Sequence, residues 1–139
     1  MNNFLIIDAI GGSGARPFPP ESGPITINGK HWTANGKPWF WRGATMFLLL
    51  ERQMDGADIT PELDWMVGKG VNVARVFVAG VPWPGHKWLY QRSDWPEQLS
   101  AFAGHLAASG IRLEATVCTD QGNDVRRWAT GLQAVYDIL

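Results

Sequence analysis

The segment VNVARVFVAG, residues 71–80, is nearly continuously apolar and rich in valine, and it restricts the fold more than any other stretch of the chain. A strand apolar on both faces must be covered on both faces, which is the situation of a parallel strand packed under helices. Its flanks carry helix punctuation. In TPELDWMVGKG, residues 60–70, Thr60 is placed as N-cap, Pro61 at the first helical position and Gly70 where a left-handed residue closes a helix, so a helix is predicted over 60–69. Downstream, Asp94 and Pro96 start a second helix whose Leu99, Phe102, Ala103 and Leu106 share one face, and Gly110 ends it. IRLEATVCTD, residues 111–120, is the next strand. After Asn123-Asp124, a stripe of Val125, Trp128, Ala129, Leu132, Val135, Tyr136 and Leu139 predicts a third helix. Strands alternating with amphipathic helices imply right-handed βαβ units and a parallel sheet.

Upstream of this region the pattern differs. GGSGARPFPPESGP, residues 11–24, has the glycine and proline content of an arm or linker, so residues 1–24 are read as an extended N-terminal arm and 25–139 as the folded part. ITINGKHWTANGKPWFW then holds two Asn-Gly dipeptides, Asn28-Gly29 and Asn35-Gly36, between apolar or β-branched residues. That is a hairpin signal, and it predicts a small antiparallel meander leading into a strand at Trp39. The run Trp39, Phe40, Trp41 looks like a buried strand until Arg42 interrupts it. About 30 residues separate Phe40 from Val71 and about 40 separate Val71 from Ile111, room for a helix and a loop in each crossover. A doubly wound sheet and a β/α barrel both satisfy this spacing. The loops after the strands, TMFLLLERQ, GVPWPGHKW and TDQGND, contain no glycine-rich phosphate fingerprint, which argues against a nucleotide-binding fold.

Composition removes several classes of function. A formal net charge of −1 with 18% charged residues leaves no basic footprint for nucleic acid or a membrane surface. Cys118 is the only cysteine, and His31, His86 and His105 are scattered, so neither an intrachain disulfide nor a metal-ligand spacing is present, and no cofactor is implied. The apolar run Phe4 to Ile7 lacks a basic flank and is too short for a secretory or membrane segment. Eight tryptophans in 139 residues serve first as core, with a minority available to stack on a ring-shaped ligand.

NGKPWFWRGAT, then GKGVNVARVFV, then ASGIRLEATVCTD, taken in that order over residues 25–139, resembles the N-terminal part of clan-A glycoside hydrolases, the cellulase and mannanase-like (β/α)8 barrels. The shared elements are the NGKP hairpin, the pair Arg42-Gly43, and the pattern Gly70, Asn72, Arg75. The resemblance implies an α/β fold: a partial TIM (β/α)8 barrel of about three βα units preceded by a small antiparallel hairpin or meander. It implies that Arg75 points into the barrel near its C-terminal mouth, largely buried, where a guanidinium holds a carboxylate ionised through charge-assisted hydrogen bonds. Arg42 is then a similar inward or rim group, and Asp120 a rim carboxylate beside them. The alternative for Arg75 is a structural ion pair with Glu114 on the adjacent strand. In such a barrel the loops after strands form the functional face, which places Trp83, Trp88, Tyr90 and His86 as substrate contacts for sugar rings.

Glycoside hydrolysis needs two carboxyl groups about 5 to 9.5 Å apart. The resemblance puts them after the fourth and seventh strands, and only three strands are predicted here. Glu114 and Asp120 lie on one strand about 20 Å apart, and Glu51 with Asp120 is at most a pair of rim groups. No catalytic residue is therefore assigned. The expected function is part of a glycoside hydrolase-like protein acting on a β-linked polysaccharide. The alternative is a non-catalytic assembly subunit or carbohydrate-binding protein, with self-association or a protein partner covering the sheet edges.

Overall fold

Glycine and asparagine at left-handed backbone positions shape the first part of the molecule. The computed structural model describes residues 23–80, 88–117, 133 and 135–138. Strands β1 (Ile25–Asn28), β2 (His31–Ala34) and β3 (Lys37–Pro38) form an antiparallel sheet in that order. Between β1 and β2 the two-residue loop is Gly29-Lys30, of which only Gly29 has positive φ (63°), the requirement of a type II′ turn. The second loop is Asn35-Gly36, with φ of 51° and 73°, as type I′ demands. The first turn thus sits one residue later than the Asn-Gly dipeptide suggests.

The valine-rich segment becomes β5 (Val73–Phe77), the centre of a second sheet in the order β4-β5-β6, with β4 at Gly43–Thr45 and β6 at Arg112–Thr116. Both pairings are parallel, and the register sets Thr45, Arg75 and Glu114 side by side. Helices α1 (Leu49–Met54) and α2 (Thr60–Gly68) join β4 to β5, and a 3-10 turn at Leu89–Gln91 precedes α3 (Trp95–Ala108). The core lies between this sheet and the helices: Ala74, Val76 and Val78 meet Leu49, Leu50, Met66, Leu99, Phe102 and Leu106, all of them buried. Trp95 plugs the top of this layer and donates from its indole Nε1 to the Val78 carbonyl at 2.7 Å. Val135 is buried against the same core and Ile138 packs on it. The predicted third helix is described only at 133 and 135–138, where the backbone is helical; Val125, Trp128, Ala129, Leu132 and Leu139 lie outside the described residues.

Several local expectations need correcting. Thr60 is the first residue of α2 and not its cap; its N–H is accepted by the Asp58 carboxylate at 2.9 Å, so the aspartate two residues earlier satisfies the helix start. α1 lies in a stretch read as loop, because LLERQM is too short to display a helical period of its own.

The larger correction concerns the architecture. A partial (β/α)8 barrel of three regular βα units is not formed: the described residues make two separate three-stranded sheets, one antiparallel and one parallel, without a βα repeat pattern. The physical reason lies in residues 39–42. Trp39 donates its backbone N–H to the Trp32 carbonyl, which extends the meander, and Phe40 and Trp41 are exposed and outside any strand. The run that was to supply a long first barrel strand therefore supplies a connection, and β4 is left with three residues. Among the described residues two α-helices fill the first crossover, while a 3-10 turn and one α-helix lie in the second, so successive units are not equivalent.

Candidate functional site

Three turns of alternation build the face of the parallel sheet that points away from the helices. With Ala74, Val76, Leu113 and Ala115 directed to the core, the opposite parity presents Val73, Arg75 and Phe77 on β5 and Arg112, Glu114 and Thr116 on β6. Gly43 and Thr45 of β4 complete the rows.

The row at the N-terminal end is closed. Trp39 packs with Ala34, Val73 and Ile25 in a second, smaller cluster; its ring stacks on Trp32 at 5.6 Å and lies under the Arg112 guanidinium at 6.0 Å. Arg112 also donates from Nη2 to the Gly23 carbonyl at 2.6 Å. The Trp41 indole covers Gly43, where an added Cβ would come within 2.9 Å of its Nε1. Asn72 is the bolt of this end. Its side-chain Oδ1 accepts from the Arg42 N–H and its Nδ2 donates to the Phe40 carbonyl, both at 2.8 Å, while its own carbonyl accepts from the Arg112 N–H at 2.9 Å. Arg42 belongs to the same end: its Nε donates to the Gly70 carbonyl at 2.8 Å, just beyond α2. The arginine that interrupts the aromatic run thus ties the meander to the α2–β5 turn, at the opposite end of the sheet from the mouth at which it was expected.

The middle row is polar. Arg75 Nε lies 3.4 Å from Glu114 Oε1 and 3.3 Å from Thr116 Oγ1, and Thr45 is exposed beside it. The side chains of Arg75 and Glu114 are 49% and 39% exposed. Arg75 is therefore not the largely buried group expected, because the described residues of this face do not close over it. A pair this exposed contributes at most about 1 kcal/mol to stability.

The row at the C-terminal end is aromatic. Phe47 stacks on Phe77 with centroids 4.3 Å apart and planes within 16°. An open apolar recess of about 350 Å³ adjoins it, lined by Met46, Phe47, Leu48, Leu49 and Arg52. Past the end of β5, Trp88 meets Tyr90 edge-on at 6.2 Å and lies so close to Gly80 that an added Cβ would fall 2.5 Å from its ring. Both rings are partly buried, and Tyr90 packs on the main core. Of the residues placed at the mouth from sequence, Trp88 and Tyr90 lie past the C-terminal end of β5, with the Tyr90 N–H donating to the Ala79 carbonyl at 3.1 Å. Trp83, His86 and Asp120 lie outside the described residues.

The face offers hydrogen-bond donors and acceptors between two aromatic margins. Among the described residues it carries one carboxylate, Glu114, since Glu51 belongs to α1 in the helix layer. Among the described residues that set does not supply the two carboxylates of a glycosidic cleavage. Among the described residues there is also no group of three metal-ligating side chains, and no helix long and apolar enough to cross a membrane. Thr45, Thr116, Phe47 and Phe77 were not singled out from sequence. The signal was present in the strict alternation of Arg112, Leu113, Glu114, Ala115 and Thr116, which marks one polar face on an otherwise apolar strand. Comparison with protein-family models, with curated proteins and with solved structures finds no match to this chain.

Proposed function

We propose that this chain binds a β-linked polysaccharide or oligosaccharide as part of a glycoside hydrolase-like protein, with the described face contributing binding and not bond cleavage. One observation carries the reading: the row of Thr45, Arg75, Glu114 and Thr116 beside the Phe47–Phe77 stack. Sugars present hydroxyls at their edges and C–H surface on their faces, so a polar row between aromatic margins complements them. The test is retention on insoluble cellulose and mannan, with a reducing-end assay alongside. Retention without sugar release is expected, and Arg75→Ala should weaken it about ten-fold, the cost of losing hydrogen bonds from a charged donor. Retention unchanged in Arg75→Ala, with the melting temperature also unchanged, would remove the sheet face from the reading.

A second reading is supported by the meander. Ile27, Phe40 and Trp41 are 75%, 69% and 52% exposed, and large apolar side chains left to solvent in and beside the meander are of the kind that interaction surfaces present. An assembly role, with a second copy covering these side chains, predicts concentration-dependent sedimentation that Phe40→Ser abolishes. A single monomeric species at all concentrations would rule it out.

A further inference from the structure

Two exposed surfaces with aromatic centres carry opposite charge. The first is on the meander. Ile27 stands directly opposite Trp32, and Lys37 opposite Ala34, so Ile27, Trp32 and Lys37 share the face on which Ala34 and Trp39 are buried. The covered part of that face ends at the Trp32–Trp39 stack; Ile27, Trp32 and Lys37 are exposed. Residues 25–41 hold Lys30 and Lys37 and no carboxylate. The second surface is on α2, where Pro61, Asp64, Trp65 and Gly68 fall at i, i+3, i+4 and i+7 and are all exposed. Leu63 and Met66 take the buried side of this helix, so the core does not use Trp65. A Cβ added at Gly68 would meet no atom within 4 Å, which leaves open space one turn from the Trp65 ring. Residues 55–64 hold Asp55, Asp58, Glu62 and Asp64 and no cation. Asp55 and Glu62 are answered by Arg92 and Arg52. Asp58 and Asp64, like Lys30 and Lys37, have no oppositely charged partner among the described residues.

We infer that the meander of one copy of this chain docks on the α2 face of a second copy, setting Ile27 and Trp32 against Trp65, with Lys30 and Lys37 toward Asp58 and Asp64. Exposed aromatic side chains supply the apolar centre that interfaces favour. Charge selects the occupant. A meander packed on another meander would bring the lysines of both copies together, whereas α2 brings the counter-charges that neither surface finds in its own chain. The two surfaces differ, so the contact is heterologous: each docked copy still offers one surface of each kind, and copies add head to tail. The inference rests on the assembly reading above and names the surface that covers the meander.

Sedimentation equilibrium of the full chain and its variants tests this. The average mass of the unsubstituted chain should climb past that of a dimer as concentration rises. Association should weaken in about 1 M salt, where the Debye length falls to about 3 Å. Ile27→Ser removes the meander side and Trp65→Ser the helix side, each weakening self-association by about thirty-fold or more. Mixed in equal amounts, the two variants should form a dimer and nothing larger, because one intact surface remains on each. Asp64→Lys, an exposed position outside the core, should weaken association of the unsubstituted sequence by about ten-fold without lowering the melting temperature, and so tests the helix side independently of Trp65. Undiminished association of Trp65→Ser and Asp64→Lys alongside loss in Ile27→Ser would mean that the meander covers itself; that overturns the inference and leaves the assembly reading standing. A mixture of the two serine variants that stays monomeric, with both melting cooperatively, overturns the head-to-tail contact too. An unsubstituted chain that is monomeric at every concentration overturns the inference and the assembly reading together.

Discussion

Replacing Asn72 by alanine should cost more stability than its small size suggests. The side chain is 8% exposed and makes two hydrogen bonds of 2.8 Å to backbone groups, accepting from Arg42 N–H and donating to the Phe40 carbonyl. Alanine removes both partners at once. A buried backbone group left unpaired costs about 1–3 kcal/mol, and two would cost about 2–6. Phe40 is exposed and Arg42 only half-buried, so water partly rescues both groups and the expected loss falls near about 2–4 kcal/mol. Urea unfolding followed by far-ultraviolet circular dichroism measures it as a lower midpoint at unchanged slope. Asn72→Asp sharpens the test. It keeps the acceptor for Arg42 but sets a carboxylate oxygen against the Phe40 carbonyl, so its folded pKa should rise above the unfolded value. Protonation then restores a donor, and this variant alone should gain stability relative to the parent as pH falls through that raised value. A loss below about 1 kcal/mol in Asn72→Ala, with no pH-dependent recovery in Asn72→Asp, would refute the claim that Asn72 bolts the meander to the parallel sheet.

Phe102 is fully buried between α3 and the sheet, so Phe102→Ala should destabilise by about 3–5 kcal/mol in the same assay, and a loss below about 1 would place α3 elsewhere. Acid sensitivity should follow two surface arginines. Hydrogen bonds from Arg92 hold the Asp94 carboxyl below the ordinary carboxylate range, and Arg52 does the same for Glu62. Because the folded values lie below the unfolded ones, the contribution is present above the ordinary range and is lost as pH falls through the lowered values. Arg92→Gln should therefore flatten the fall in melting temperature below about pH 4; parallel curves for variant and parent would contradict this.

The parallel sheet was legible in the sequence because β5 and β6 carry their own pattern: Val73 to Val78 is apolar except for Arg75, and 111–117 alternates cleanly. The helices at Thr60–Gly68 and Trp95–Ala108 were legible for the same reason, since proline and glycine mark their ends and Leu99, Phe102 and Leu106 the buried face of the second. Residues 39–42 misled. Three aromatic side chains in succession satisfy a buried-strand pattern, but only Trp39 found a covered site, and whether Phe40 and Trp41 would follow depended on the contact of Asn72 with Phe40 and Arg42, some 30 residues away. Periodicity is local and cannot report such a contact. Arg75 and Glu114 were foreseen as neighbours, whereas the exposure of the pair depends on what lies across the sheet face, which no spacing within a strand encodes.

The unequal size of the two apolar clusters divides the molecule into two levels of cooperativity. Helices α1 to α3 and the parallel strands share one large cluster and must open together. The meander is joined to them through Ala34, Trp39 and Val73, the Arg112–Gly23 contact and the Asn72 bridges. Its own strands close through two-residue turns, so it can re-form after separation without waiting for long-range contacts. A small, locally encoded unit held by few contacts among the described residues is expected to open sub-globally, below the free energy of complete unfolding. Each such opening would uncover Val73 and Trp39 while leaving the helix-side core intact, giving the chain a partly open form in which the row of Arg75 and Glu114 gains a wider approach from the N-terminal end.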